Sequence, residues 1–338
     1  MDRTTSLPDV SDELSAAAVE KLVSAAVAAP SIHNTQPWRF RLLPESRTLE
    51  VRAVPQRSLR HTDPTGRALH ISVGAAVFNL RTAVRAFGWE PVVRLLPRPA
   101  EPDLLASVRL AGPSRGGRTP DGALYDAIWL RHTSRLPYSN RPVPPGELTA
   151  LTEGAHAEGA LLIVPDPEET RRLMLLTAEA ERRNTADPDR RGESRRWIRP
   201  PQDGRVGLPP DALGPQDAHG RVPVRDFTAL RIPLQLPSAA FEAHPTIAVL
   251  STAHDRRADW LRAGQALQRV LLLATMGGLR SSLLHQALEW PDLRWALRDP
   301  STGPGHVQML VRLGYGPVGQ ATPRLGPDEV IEPPPSGS

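Results

Sequence analysis

The chain has no cysteine among its 338 residues. That excludes disulfides, a thiol nucleophile, cysteine-ligated zinc and iron–sulfur clusters together. Lysine is nearly missing as well. Lys21 is the only one, so the positive charge is carried by arginine, which keeps its proton to high pH. A pI near 10.2 therefore coexists with a net charge of only +4. Acids interleave with the arginines, as in Glu179–Arg183 and Asp187–Glu193. A solvated mixed-charge surface is expected, with no nucleic-acid partner. Long apolar runs are lacking too: Val270–Leu279 is about half the ~20 residues that a membrane helix needs. Met1–Ser15 shows no basic stretch followed by an apolar one, so neither a secretory signal nor membrane association is expected, and the location expected is cytoplasmic. Aromatics are scarce at 4 %, yet Trp, at 7, outnumbers Phe and Tyr, which makes individual tryptophans worth following.

What is present suffices for a large core, with 40 % hydrophobic residues. Ser11 or Asp12 can cap a helix over Glu13–Ala29 that Pro30 stops. Trp38–Leu43 and Leu49–Val54 read as strands, Ile71–Phe87 as a helix ending at Gly88, and Val92–Leu96 and Leu105–Leu110 as further strands. A Gly/Pro/Ser-rich linker follows at Gly112–Gly122. Comparing the halves is informative. Gly74–Gly88 and Gly264–Gly278 both run glycine to glycine over the same length, with small residues early and aliphatics on one face. Short strands follow each, at Val92–Leu96 and Leu283–Leu284, and Leu104–Leu110 and Val307–Leu313 close each half. The expected organisation is a first half over 1–112, a linker at 113–122, a second half over 123–330 with an insertion at about 191–237, and a flexible tail at 331–338.

Four segments carry polar chemistry. Ala29-Pro30-Ser31-Ile32-His33-Asn34-Thr35-Gln36-Pro37-Trp38-Arg39-Phe40 reads as a helix stop, a polar loop and entry to a strand. Its Ser31, Asn34 and Gln36 offer the donors and acceptors that a planar heterocycle requires, and it fits a capped loop with a core tryptophan as well. Arg131-His132-Thr133-Ser134-Arg135-Leu136-Pro137-Tyr138 follows a helix expected over Leu124–Leu130. Its guanidinium forks and hydroxyls suit a phosphate monoester, and equally a solvated face. Met276–Gln286 places glycines where a backbone can approach a ligand closely, without the Gly-Lys-Ser/Thr of a phosphate loop. Leu313-Gly-Tyr-Gly-Pro317 leads from a strand to a lone Arg324.

Together, in this order, the four resemble the FMN-dependent nitroreductase superfamily, and in particular its long Acg-type branch. The resemblance spans about Glu13 to Val330 except for the insertion. It implies an α+β nitroreductase-like fold with two antiparallel-rich sheets and long helices crossing between them. The familiar members are homodimers with FMN at the subunit interface. Here the Asn34 loop occurs only in the first half and the Arg131–Arg135 segment only in the second, so the chain is expected to mimic a homodimer while keeping one composite flavin site. The resemblance implies that Arg131, Thr133, Arg135 and Arg324 hold the FMN phosphate. Ser31 and Asn34 would touch the ring or ribityl chain, with Gln36 and Trp38 in support, and His33 and His132 as positioning residues. Backbone groups at Leu284, His285 and Gln286 would face the ring near N5. No side chain is expected to be catalytic in its own right, because the flavin carries the chemistry. No metal site is expected, as the histidines are scattered and no His-Glu-x-x-His occurs.

The resemblance further implies that the Pro-rich insertion, with Trp197 and Phe227, forms a lid over the flavin. A lid that swings leaves an NAD(P)H-dependent reductase of nitroaromatics, quinones or a similar small acceptor. A lid that stays shut leaves a protein that binds and sequesters FMN. The insertion reads also as a surface loop. The expected assembly is a monomer acting as a pseudo-dimer, or a homodimer of pseudo-dimers.

Overall fold

A computed structural model describes residues 14–113, 120–199, 204–228, 236–298 and 305–333. The chain begins with α1 (Ala16–Val27), β1 (Trp38–Leu43) and β2 (Thr48–Ala53). The side chain of Ser15 caps α1, accepting from the Ala18 N–H. The helix thus starts later than expected, and Ser11 and Asp12 lie outside the described residues. Next come α2 (Arg67–Ala86), β3 (Trp89–Leu95), β4 (Leu104–Pro113) and α3 (Pro120–Leu130). The middle of the expected linker, 114–119, is outside the described residues.

The second half has α4 (Pro145–His156), β5 (Leu161–Ile163), α5 (Pro167–Ala186), α6 (Pro188–Arg196), and the two-residue strands β6 (Gln216–Asp217) and β7 (Ser238–Ala239). It continues with β8 (Thr246–Thr252), α7 (Arg257–Met276), β9 (Arg280–Leu284), α8 (Pro291–Ala296), β10 (His306–Gly314) and α9 (Pro327–Val330).

The two four-stranded sheets are topological copies. Their orders are β1-β2-β4-β3 and β5-β8-β10-β9, with every pairing antiparallel. In each, a 20-residue helix, α2 or α7, joins the second strand to the third. These two helices cross between the sheets. Gly74 and Gly264 stand at the eighth position of their helices and face each other, and a Cβ at either would meet the other helix's backbone within 2.3 Å. Each helix also ends two residues before a left-handed glycine, Gly88 at φ 91° and Gly278 at φ 73°, where a side chain would be strained. A large apolar core fills each half, one around Trp38, Phe40 and Phe78, the other around Leu250, Leu267 and Leu310.

The halves differ mainly between their first two strands. β1 and β2 are joined by a tight turn, whereas the chain leaves β5 at Ile163 and returns only at Thr246. The excursion therefore starts well before residue 191, because α5 and α6 belong to it. Its residues 200–203 and 229–235 are outside the described residues. At the other end, residues 331 and 332 do not hang free. Ile331 bridges to Phe40, the Glu332 N–H donates to the Phe40 carbonyl at 2.7 Å, and Arg41 pairs with Glu332 at 2.8 Å. Residues 334–338 of the expected tail are outside the described residues.

Candidate functional site

The loop after α1 is held in an unusual backbone. His33, Asn34 and Gln36 all have φ near +50°, a region that costs a non-glycine residue energy and is found where surrounding structure imposes it. Side chains fix it. Ser31 Oγ accepts from the Gln36 N–H at 2.9 Å, and Ser72 Oγ on α2 accepts from the Ile32 N–H at 3.1 Å. Opposite lies the segment after α3. Thr133 bridges to Ser281 at the start of β9, and Ser134 donates its N–H to the Ser281 carbonyl and its hydroxyl to the Pro317 carbonyl. Gly314, Gly316 and Gly319 give this segment room: a Cβ on the first two would strike the Tyr138 ring, and on Gly319 the Thr133 carbonyl.

Between these walls lie two neighbouring cavities that share Pro30, Ser31, Thr133 and Arg135. The larger, about 110 Å³, is mostly apolar. Ala68, Ile71 and Ala75 of α2 line one side, with Leu267, Leu283, Leu284 and Met309 of the second half opposite. Val224, Arg225 and Phe227 from the excursion close over it. The smaller, about 40 Å³, is polar and holds Asn34, Arg131, His132, Thr322 and Arg324.

The small cavity is strongly cationic. Arg131 is buried, Arg135 and Arg324 partly so, and none has a carboxylate partner among the described residues. Arg131 Nε and Nη1 and Arg324 Nε are buried with no hydrogen-bond partner among the described residues. Burial lowers Arg131 and Arg135 to about 10, helped for Arg135 by the neighbouring Arg225. Burial, then repulsion from Arg131, lowers Arg324 to about 9. Buried charge with open donors is costly unless an anion completes it. His132 is held below the usual histidine range by burial and by Arg131 and Arg324.

The larger cavity has a polar rim built as a chain. Arg225 donates to His33 Nε2 at 3.0 Å and pairs with Glu289 Oε1. Glu289 also meets His285 Nδ1 at 3.0 Å and Asn184 Nδ2 at 3.0 Å, and His285 Nε2 accepts from Arg67 at 2.8 Å. Because arginine only donates, both imidazoles accept at Nε2 and carry their proton on Nδ1. Burial first, then nearby cations, holds His33 well below its ordinary value. The His33 Nδ1 is a buried donor with no partner among the described residues. No cluster able to hold a metal occurs among the described residues.

No family model matches the chain. It is 34 % identical over 327 residues to "Putative NAD(P)H nitroreductase Rv3131" of Mycobacterium tuberculosis, covering 93 % of this chain and 91 % of that one. It is 30 % identical over 318 residues to "Putative NAD(P)H nitroreductase acg" of the same organism, covering 93 % and 95 %. The chain belongs to the nitroreductase family. Among solved structures it is similar to a Desulfitobacterium hafniense nitroreductase with bound FMN (15 % identity, TM-score 0.41, 62 % of this chain and 97 % of that one). It is also similar to the FMN-dependent nitroreductase NfnB of Mycobacterium smegmatis in complex with NADPH (18 %, TM-score 0.38, 62 % and 97 %).

In this nitroreductase-family chain, most residues singled out in the sequence come together. Ser31, Arg131, His132, Thr133, Arg135 and Arg324 surround the small cavity, and His33, Leu284, His285 and Gln286 line the large one. Two loop residues also make contacts beyond the cavities. Asn34 lines the small cavity, but its amide donates to the Gly207 and Pro323 carbonyls at 2.7 and 3.0 Å and accepts from Arg324 at 2.9 Å, so it ties the excursion and the C-terminal segment together. Gln36 lines neither cavity; it donates to the Arg205 carbonyl at 2.7 Å and accepts from the Leu325 N–H at 2.9 Å. Trp38 is core. Trp197 was expected in the lid. It caps the end of α6, its carbonyl holding Leu208, and it lines neither cavity. Phe227 does line the larger one, edge-on to His33 at 5.1 Å. Sequence reasoning missed Arg225, Glu289, Arg67 and Ser72. Ser72 belongs to a helix that reads as plain core, Arg67 precedes the Ile71–Phe87 stretch read as that helix, and Arg225 is one arginine among many in the excursion.

Proposed function

We propose that this chain is an FMN-dependent oxidoreductase that takes reducing equivalents from NAD(P)H and passes them to a nitroaromatic, a quinone or a similar small acceptor. One observation carries the reading. Three arginines with no carboxylate partner among the described residues converge on a small polar cavity, with open buried donors, and an apolar cavity adjoins it through shared walls. A dianionic phosphate joined to a flat heterocycle has the matching chemistry. The names of the relatives point the same way.

On this reading Arg131, Arg135 and Arg324 hold the phosphate, with Thr133 beside it. Ser31 and His33 flank the ring from the first half, and the backbone at Leu284–Gln286 from the second. Asn34 acts one step back, fixing Arg324. FMN, when bound, supplies a two-electron carrier at N5. Val224 and Phe227 exclude water from the cavity they cover. Donor and acceptor would use the same face in turn. The one site per chain makes a monomer sufficient, and a pair of such chains is compatible with it. We place the protein in the cytoplasm, where NAD(P)H is at hand. Among the described residues no helix is long and apolar enough to cross a membrane.

A second reading, FMN sequestration with little turnover, draws on the closed excursion: Phe227 is only 3 % exposed, and Asn34 and Gly207 exchange hydrogen bonds. The site itself is tested with Arg131→Ala combined with Arg135→Ala. Purified variant with a native circular-dichroism spectrum but no FMN supports the reading, and stoichiometric FMN in the variant sinks it.

A further inference from the structure

Among the described residues, the wall that the excursion adds to the larger cavity has one charged member, Arg225. Its two partners are unequal. Nη2 is paired with Glu289, a buried carboxylate that is itself held by His285, Asn184 and, at 3.5 Å, Arg190. Nη1 rests on His33 Nε2, a neutral imidazole nitrogen. A hydrogen bond from guanidinium to an anionic oxygen is roughly twice as strong as one between neutral groups and stronger than one to a neutral acceptor. The Glu289 contact is therefore the fixed one and the His33 contact the exchangeable one.

The surroundings favour an anion at that exchangeable position. Arg135 and Arg225 lie 5.8 and 5.7 Å from the centre of the Phe227 ring, and Arg135 has no carboxylate partner among the described residues. Glu289 is the carboxylate paired with Arg225. A phosphate dianion in the adjoining cavity offsets two of the charges of Arg131, Arg135 and Arg324 and leaves one. His33 adds a buried Nδ1 donor beside the same wall.

We propose that Arg225 selects the acceptor, and that the class it selects is a small aromatic bearing a carboxylate or similar anionic oxygen group, which takes the place of His33 on Nη1. This rests on the flavoenzyme reading above. Glu289 is a positioning residue here: it aims Arg225 without touching the acceptor.

The test uses the holoprotein and two pairs of probes. Without reductant, calorimetry or the perturbation of the flavin spectrum gives Kd for benzoate against benzamide. Under turnover, kcat/KM is compared for 4-nitrobenzoate against 4-nitrobenzamide. Wild type is expected to favour the anion at least tenfold in both, Arg225→Gln to bring both ratios to near one, and Arg225→Lys to restore part of the preference. Equal binding of benzoate and benzamide by wild type overturns the proposal, as does a preference that survives in Arg225→Gln. So does an Arg225→Gln variant whose KM rises for NADH or NADPH instead of for the acceptor, which would assign the arginine to the reductant. If Arg225→Gln does not fold, the wild-type benzoate comparison still decides. A wild-type protein that carries no FMN fails the earlier reading instead, and is recognised before any acceptor is added.

Discussion

Gly74 on α2 and Gly264 on α7 lie face to face, each denying the other a side chain. A Cβ on Gly74 would stand 2.3 Å from the Leu261 carbonyl oxygen, and one on Gly264 2.1 Å from that of Ile71. Ile71 and Leu261 each precede their glycine by one helical step of three residues, so the contact is reciprocal, as at a two-fold axis. Here the axis relates two halves of one chain. The same crossing sets Ile71, Ala75 and Leu267 around the larger cavity, so the packing of the halves and the shape of the site depend on one contact.

Gly74→Ala and Gly264→Ala should therefore destabilise to a similar extent. Alanine favours a helix over glycine by about 1 kcal/mol, but overpacking against a backbone that cannot yield costs about 1–3 kcal/mol or more. Urea denaturation should show lower midpoints for both variants, with weaker FMN binding. A midpoint raised in either would mean that the helices do not meet there.

Much of this was legible because duplication leaves paired marks. Two glycine-to-glycine helices of equal length pointed to the duplication. The crossing of those helices, and one composite site, were expected from the family resemblance, the loop and arginine segments each occurring once. What was not legible depends on distant contacts. Composition marked the Pro-rich part of the excursion but not α5 and α6, whose helical pattern resembles any other surface helix. Nothing local distinguishes Arg225 from the arginines around it. Its role comes from Glu289 and His33, which lie 64 and 192 residues away. The sequence offered Asn34 as a ligand contact but could not show that its amide oxygen also accepts from Arg324, 290 residues away.

Asn34→Ala removes an acceptor for Arg324 and two donors, to Gly207 and Pro323. A hydrogen bond contributes about 0.5–1.5 kcal/mol net, so FMN should bind about tenfold more weakly. Protease cleavage within residues 204–228 should rise in parallel. Weaker FMN with unchanged cleavage would place Asn34 at the ligand instead.

The arginines predict an effect of simple anions. Protein stripped of FMN should gain stability from inorganic phosphate, and more from FMN, since a ligand at 100 times its Kd adds about 2.7 kcal/mol. Thermal melts of wild type and Arg324→Ala measure this. A phosphate shift of equal size in both would exclude Arg324 from the anion site.

Stability should also fall on mild acidification. His33, His285 and His70 have folded-state values below 6.5, with burial as the main cause. Between the folded and unfolded values the unfolded chain binds more protons, so stability decreases as pH drops below about 6.5. It is steepest where a single group contributes about 1.4 kcal/mol per pH unit. Glu289, whose folded value is depressed by Arg225 and His285 against the opposing effect of burial, extends the loss to lower pH. Denaturation midpoints between pH 7.5 and 5 should show the fall, and His33→Gln should flatten it. An identical slope in that variant would contradict the assignment of His33 as a buried neutral imidazole.

The measurement to make first is an anaerobic visible absorption spectrum of the protein as purified, repeated after NADPH and then NADH. The composite site predicts a flavin spectrum at one FMN per chain, and its use as a reductase predicts that one of the two nucleotides bleaches it. A flavin spectrum that neither nucleotide bleaches would leave the site standing and make sequestration the function. A colourless protein that FMN cannot reconstitute would contradict the site itself.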